Sequence, residues 1–143
     1  MRFFVVVILI ALNSLLKAAD YYVSSSGNDS NSGLGTSSPW KTIDKVNSAF
    51  SLLKPGDRIL FKCGDTFYGT IKIIKSGTAG SPITIGSYGS GEKPVITGFK
   101  RITSWKNEGN GIYSATITSE SQTNMVLIND KQYGMGRWPD SGY

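Results

Sequence analysis

The 143-residue sequence lacks histidine altogether and contains a single cysteine, Cys63. The absence of histidine excludes Ser-His and Cys-His catalysis and imidazole-based metal sites from this segment. With one cysteine no internal disulfide can form, and Cys63 is predicted to be a small residue that closes a strand rather than a nucleophile. The 15 basic residues form no run typical of nucleic-acid binding, so no nucleic-acid partner is expected.

Long apolar runs are also lacking. The longest, residues 3–12, has ten residues, whereas a bilayer span needs about 20. Arg2 precedes this run, and the small residues Ala18 and Ala19 follow it, just before the composition becomes polar. This is the layout of a secretory signal peptide. We therefore expect an exported protein, extracellular, periplasmic or at the cell surface, with no membrane span after signal removal.

The predicted signal peptide comprises residues 1–19, but two cleavage positions remain open. Cleavage after Ala19 places Lys17 three residues before the cut, which is a poor residue there. Cleavage after Ala18 places Leu16 at that position instead.

The sequence predicts one amphipathic helix after residue 42. Thr42 is a suitable N-cap, and the apolar residues that follow recur at spacings of three, four and three, which form one helical stripe. This stripe consists of Ile43, Val46, Phe50 and Leu53. Lys54-Pro55-Gly56-Asp57 ends the helix, because Pro cannot continue it and Pro-Gly suits the centre of a type II turn. Ser38-Pro39 has the form of an earlier helical turn, since Pro suits the first helical position.

From Arg58 onward the pattern changes to short β-rich segments separated by turn clusters. Four triplets each begin twelve residues after the previous one: residues 59–61, 71–73, 83–85 and 95–97. In the second and third, isoleucines alternate around a polar residue, so one face is predicted to point inward. Further strands are predicted at 111–117 and 125–128, with Asn129-Asp130 as a hairpin turn to 131–135. Tyr21 to Val23 is an earlier short strand. This spacing favours an all-β sandwich, barrel or solenoid.

Several blocks of the sequence resemble the opening of secreted right-handed parallel β-helix proteins of the pectate-lyase-like superfamily. The blocks are 21–24 (YYVS), 27–33 (GNDSNSG), 39–43 (PWKTI), 54–61 (KPGDRILF), 64–69 (GDTFYG) and 126–139, which ends in GRWP. The resemblance implies that residues 20–143 are the N-terminal cap and first coils of such a solenoid, truncated at the C-terminus. The amphipathic helix is then expected to cover the apolar end of the first coil, because an open end invites edge pairing.

The resemblance also implies a carbohydrate-directed function for a monomeric parent protein. The first hypothesis is a polysaccharide-degrading enzyme, most plausibly a lyase on an acidic glycan and otherwise a glycoside hydrolase. The present segment is expected to be inactive alone. The alternative is a non-catalytic carbohydrate-binding or adhesin-type scaffold. A third possibility is a complete small all-β domain. The related lyases hold calcium with Asp side chains and use a Lys or Arg base on later coils, so calcium is expected only in the parent protein and no cofactor in this segment.

The acidic residues offer no convincing metal site. Residues 29–33 begin like a calcium loop, but Gly33 comes one position early and the twelfth residue is Trp40 instead of Glu. Asp29 and its neighbours are therefore predicted to form side-chain turns with their own backbone. Asp57 and Asp65 each adjoin a glycine and have the same interpretation.

Catalytic residues remain unassigned, because no carboxylate pair can be placed on one face. The basic residues with the best chance of facing a groove are Lys100, Arg101 and Arg137, which are expected to be surface charges. Four aromatic residues near loops could stack on sugar rings, although packing of the hairpin against the first coil is the preferred interpretation. These are Trp105, Tyr113, Tyr133 and Trp138.

Overall fold

The computed structural model describes residues 18–118 and 125–133. The chain divides into two units, one ending at Arg101 and the other beginning at Ile102. The predicted signal peptide up to residue 17, Arg137 and Trp138 lie outside the described residues. Within the described part, no helix has the length and apolar character needed to cross a membrane.

Short strands dominate both units. The first unit contains β1 (Asp20–Val23), α1 (Ile43–Ala49), a 3₁₀ helix (Phe50–Leu52), β2 (Arg58–Lys62), β3 (Thr66–Tyr68), β4 (Thr84–Tyr88) and β5 (Val95–Thr97). The second unit contains β6 (Lys106–Gly109), β7 (Ile112–Ser114), β8 (Val126–Ile128) and β9 (Lys131–Tyr133). The described residues therefore form mostly sheet, with one short α-helix.

The first unit is built on parallel strand pairs. Strands β1, β2 and β4 form one sheet in that order, and β3 and β5 form a second. Arg58 pairs with Thr84 in the first sheet, and Thr66 pairs with Val95 in the second. Within the first sheet Ile59 lies beside Ile85, so two inward isoleucines are stacked. After one circuit the chain therefore places β4 beside β2 and β5 beside β3.

The twelve-residue spacing does not correspond to this stacking. The first and third triplets contribute to the paired strands β2 and β4, but the second, residues 71–73, is not a strand. The helix residue Asn47 holds this segment instead. Its amide donates to the carbonyl of Thr70 at 2.9 Å and accepts from the backbone N–H of Lys72 at 2.8 Å. Ile71 packs against the core, whereas Ile73 is 69% exposed, so the predicted inward face is wrong at Ile73.

The predicted helix forms, and its whole apolar stripe is buried. Thr42 is the N-cap, with its hydroxyl accepting from the backbone N–H of Lys45 at 3.1 Å. The stripe packs with the inward residues of β1, β2 and β3 in one core, formed by Val23, Trp40, Ile43, Val46, Phe50, Leu53, Ile59, Phe61 and Phe67. The helix is shorter than its stripe suggests, because its last turn is 3₁₀ and Leu53 is extended.

Two turns were predicted on either side of this helix, and only the one after it forms. At the far end Gly56 has a φ of +91°, and the backbone N–H of Asp57 donates to the carbonyl of Lys54, as the predicted type II turn requires. At Ser38-Pro39 no helical turn forms. Trp40 instead bridges Val23 in parallel, and its backbone N–H donates to the carbonyl of Tyr22, so the chain is extended there.

The second unit contains two antiparallel hairpins. The predicted turn at Asn129-Asp130 is confirmed: it joins β8 to β9, and its two residues have φ of +50° and +59°, as a type I′ turn requires. The strand predicted at residues 111–117 is shorter, since β7 ends at Ser114. Its partner β6, rich in polar residues, was not predicted.

The C-terminal side of the parallel stack is uncovered among the described residues. No strand of residues 18–118 or 125–133 pairs with the other edges of β4 and β5. Ile85 stacks on buried Ile59 and Ile96 on buried Phe67, yet Ile85 is 38% and Ile96 41% exposed. These two strands therefore present inward-facing apolar side chains to solvent.

Candidate functional site

Three aspartates, Asp29, Asp57 and Asp65, hold the N-terminal segment, residues 18–57, in place. Their hydrogen bonds join parts of this segment to one another and to the sheet. Asp29 lies in the loop after β1 and reaches the start of α1. Its Oδ1 accepts from the backbone N–H of Lys41 at 2.8 Å and of Thr42 at 2.9 Å, and its Oδ2 accepts from the Thr42 hydroxyl at 2.7 Å. Asp29 therefore holds the helix cap across a long loop instead of forming the local turn predicted for it. The predicted local turn is made by Asn28, whose Oδ1 accepts from Ser30 N–H.

The environment of Asp29 lowers the pKa of its carboxyl group. Partial burial acts to raise this pKa, but hydrogen bonds from Thr42 and Lys41 and the charge of Lys45 outweigh burial. The ionised form is thus the one that the surrounding donors favour, and it belongs to the cap of α1.

Replacing Asp29 with Ala is expected to cost about 1–2 kcal/mol of folding free energy at neutral pH, because three donors lose a charged acceptor. Since the folded pKa lies below the unfolded value, this stabilisation is present above about pH 4 and is lost as the pH falls through the folded pKa. Urea unfolding at several pH values checks this. The exposed Glu92→Ala serves as control, and an undiminished difference at pH 2 would contradict the assignment.

Asp57 is buried, with 2% of its surface exposed. Its Oδ2 accepts from the backbone N–H of Lys54 at 2.8 Å, which closes the predicted turn. Its Oδ1 accepts from the backbone N–H of Ala19 at 2.8 Å, at the entry to β1. The turn interpretation is therefore confirmed, and a link to the beginning of β1 is added to it.

Asp65 follows β2 and reaches the end of β1. Its Oδ2 accepts from the hydroxyl of Ser24 at 2.9 Å and from the backbone N–H of Ser25 at 2.8 Å. Burial acts to raise the pKa of this carboxyl group, but the bonds from Ser25 and Ser24 and the charge of Lys62 lower it overall. Asp65 also lies in the turn predicted for it, with its N–H donating to the carbonyl of Lys62.

These carboxylates are poorly suited to acid–base work on a sugar. A glycosidase needs two carboxyl groups flanking the scissile bond, whereas these three accept hydrogen bonds from backbone N–H groups. Within the described ranges no group of three His, Cys, Asp or Glu side chains could hold a metal ion. The three carboxylates therefore stabilise the local fold through their hydrogen bonds.

The remaining candidates from the sequence are three basic residues and the single cysteine. Lys100 and Arg101 are exposed, and Arg137 lies outside the described residues. Cys63 directly follows β2 and is half-buried, as predicted for a residue that closes a strand.

The predicted aromatic residues keep about half of their surface in solvent. Trp105 is 54% exposed, Tyr113 60% and Tyr133 49%, and Trp138 lies outside the described residues. The preferred interpretation, packing of the hairpin against the first coil, stays a prediction. Their rings remain available to a sugar.

The N-terminal segment contains another aromatic pair, Tyr21 and Trp40, which was not predicted from the sequence. Tyr21 stacks on Trp40 with ring centroids 4.9 Å apart and planes 18° apart, and the Lys45 ammonium lies 5.8 Å from the centroid of the Trp40 ring. A groove of about 410 Å³ lies beside them, with exposed Leu34 and Leu52 among its lining residues. The only signal for this pair was the aromatic character of both residues, since they lie far apart in the sequence.

Comparison with known proteins relates this segment to glycan-degrading enzymes. An alignment of 125 residues that covers 79% of this chain is 46% identical to a lacto-N-biosidase of Bifidobacterium longum subsp. longum. Among solved structures, a GH136 lacto-N-biosidase from Eubacterium ramulus matches 53% of this chain at 39% identity, with a TM-score of 0.45 and 12% of that chain covered. A rhamnogalacturonan lyase matches 55% at 25% identity, with a TM-score of 0.44 and 22% covered. No family model matches the chain.

The match covers only a small part of the curated relative. The chain spans 7% of that protein's length, so it is similar to one segment of a carbohydrate-active enzyme. That relative is a glycoside hydrolase, and the expectation of a lyase on an acidic glycan is corrected accordingly. The non-catalytic scaffold alternative is not favoured by these findings.

Proposed function

We propose that this chain is the N-terminal cap and first coils of a right-handed parallel β-helix in an exported glycoside hydrolase. Its own task in that protein is structural: it closes one end of the solenoid on which the catalytic residues are carried. The function is supported chiefly by the 46% identity to a lacto-N-biosidase over 79% of the chain. The fold is supported by the geometry of the first unit.

Two features of the parallel stack favour a solenoid. The chain returns from Arg58 to Thr84 and from Thr66 to Val95, two circuits of similar length that both end in register. A coil of nearly constant circumference produces such pairing. Parallel connections of this kind are right-handed in about 98% of cases, which is the basis for the proposed hand.

The two ends of the stack differ in a way that fits a cap. On the N-terminal side α1 buries its apolar stripe against the inward residues of β1, β2 and β3. On the other side Ile85 and Ile96 are exposed on strands whose outer edges pair with no other described strand. Further coils of the same protein would cover these residues, since each coil of a solenoid is buried by its neighbours.

The proposed chemistry is hydrolysis by two carboxyl groups on coils outside this segment. Such a mechanism needs no cation, whereas a lyase on uronates commonly uses calcium. The expectation of calcium in the parent protein stays a prediction. We propose that the substrate is a glycan with lacto-N-biose units, by analogy with the relative's name. Export in this proposal relies on the predicted signal peptide, which ends at Ala18 or Ala19.

An assay of the full gene product against this segment alone tests the proposal. Both proteins are exported from a bacterial host, purified, and incubated with a lacto-N-biose-terminated oligosaccharide and with rhamnogalacturonan. We expect the full protein to release a new reducing end without ultraviolet-absorbing products, and the 143-residue chain to be inactive. Unsaturated uronate products would establish a lyase instead. Binding without cleavage by the full protein would establish the scaffold.

A further inference from the structure

The carboxylate of Asp57 is buried without a positively charged partner. It is 2% exposed and accepts hydrogen bonds from two backbone amides, of Ala19 and Lys54. Neither of the two ion pairs among the described residues, Arg58–Asp20 and Lys106–Glu108, includes it. A buried charge is costly unless it is paired as well as hydrogen-bonded, so a cation at this place would stabilise the fold.

One of the donors to Asp57 lies beside the predicted export cleavage site. Ala18 is exposed, whereas Ala19 is half-buried and bonded through both its N–H and its carbonyl. Its N–H donates to Asp57 at 2.8 Å, and its carbonyl accepts from Arg58 N–H at 2.9 Å. Ala19 is therefore held by backbone hydrogen bonds on both sides of its Cα atom.

The two possible cuts leave different structures. Cleavage after Ala19 removes both bonds and leaves Asp57 Oδ1 without its donor. Cleavage after Ala18 hydrolyses the Ala18–Ala19 peptide bond. The water oxygen is added to the carbonyl carbon of Ala18, which becomes a carboxylate, and a proton is added to the nitrogen of Ala19, which becomes an amine. The Ala19 nitrogen, already 2.8 Å from the carboxylate, then becomes an α-ammonium group.

We propose that Ala18–Ala19 is the processing site and that the new α-ammonium of Ala19 forms a buried ion pair with Asp57. Processing thereby supplies the missing counter-charge and fastens the start of β1 to the turn that ends the helix. The proposal rests on the export part of the proposed function. It also agrees with the residues before the cut, since it avoids placing Lys17 at the third position.

The ion pair has a defined pH dependence. An α-amino group ordinarily titrates near pH 7.7–8.0, and a carboxylate partner raises its pKa in the folded state. At neutral pH the stabilisation is therefore present, and it is lost as the pH rises through the raised pKa of the ammonium. The charged or titratable groups nearby include the Asp20–Arg58 ion pair, Lys54, and Lys75, whose ammonium donates to the carbonyl of Leu53. Tyr21 also lies nearby, and its pKa is raised by burial and by the charge of Asp57.

The first test is the mass of the N-terminal peptide of the protein exported from the full 143-residue precursor. A mature chain starting at Ala19 is expected. A chain starting at Asp20 would overturn the inference while leaving export intact. An uncleaved precursor would refute the export part of the proposed function, and the inference with it.

The second test measures the ion pair itself. The N-terminus of the exported protein is reductively methylated with ¹³C-formaldehyde, which keeps its charge, and its pKa is followed by NMR. We expect a clearly higher pKa in the folded protein than in urea. Asp57→Asn should remove this difference, whereas the exposed Asp44→Asn should keep it. If Asp57→Asn does not fold, the comparison of native and unfolded wild type still decides, and equal values would refute the pair.

Discussion

Replacing Phe50 with Asp is expected to abolish folding of the first unit and to cause aggregation. Phe50 is 1% exposed and lies in the apolar stripe that packs against β1, β2 and β3. Removing a buried phenylalanine ring costs about 3–5 kcal/mol, and an unpaired carboxylate in its place adds several more. The sum approaches the whole stability of an ordinary domain, about 5–15 kcal/mol.

The same turn of helix provides a matched control. Leu52 belongs to the same 3₁₀ helix but is 76% exposed, so Leu52→Asp introduces the same charge on the solvent side. Soluble yield, size-exclusion chromatography and thermal unfolding should separate the two variants, with only Phe50→Asp lost to aggregates. A soluble, monomeric Phe50→Asp protein that melts with Leu52→Asp would refute the role of the stripe.

Trp40→Ala is expected to cost about 3–5 kcal/mol. The ring is 4% exposed, stacks on Tyr21, and donates its Nε1–H to the carbonyl of Asn31 at 3.0 Å. It also fills the space above Gly33, where even a Cβ atom would come within 2.5 Å of the indole. Truncation therefore leaves a cavity and an unpaired carbonyl together.

Two further variants separate these causes. Trp40→Phe keeps an aromatic ring but loses the donor to Asn31, so an intermediate loss of about 1–2 kcal/mol is expected. Trp105→Ala removes a 54% exposed ring and should change stability by less than about 0.5 kcal/mol. Urea unfolding measures all three. Equal losses for Trp40→Ala and Trp105→Ala would contradict the packing described for Trp40.

Local features of the fold could be predicted because their causes lie close together in sequence. The stripe of α1, its cap at Thr42 and the turn at Gly56 depend on residues within a few positions of one another, and all three are present. The Asn129-Asp130 hairpin has the same explanation. Each follows from side-chain spacing or from a required φ angle.

The features that escaped prediction depend on distant partners. The segment at residues 71–73 has the composition of a strand, but Asn47 takes its backbone groups. Asp29 has the composition of a local turn, but its partners lie at the far end of the loop, at Lys41 and Thr42. The environment of Asp57 likewise depends on Ala19, on the other side of the helix in sequence. Sequence pattern contains no information on such pairings until the coil length is known.

The order in which the chain becomes available sets when β1 can fold. The sheet partner of β1 is β2, which follows the helix, and the carboxylate that binds Ser24 belongs to Asp65, later still. A chain that emerges from its N-terminus can therefore complete the sheet around β1 only after β2 and Asp65 have followed. Such non-local contacts require loop closure, with its loss of entropy, before any pairing forms. Pairing of β1 with the sheet is thus expected to be a late step, once the second strand and its aspartate have both emerged.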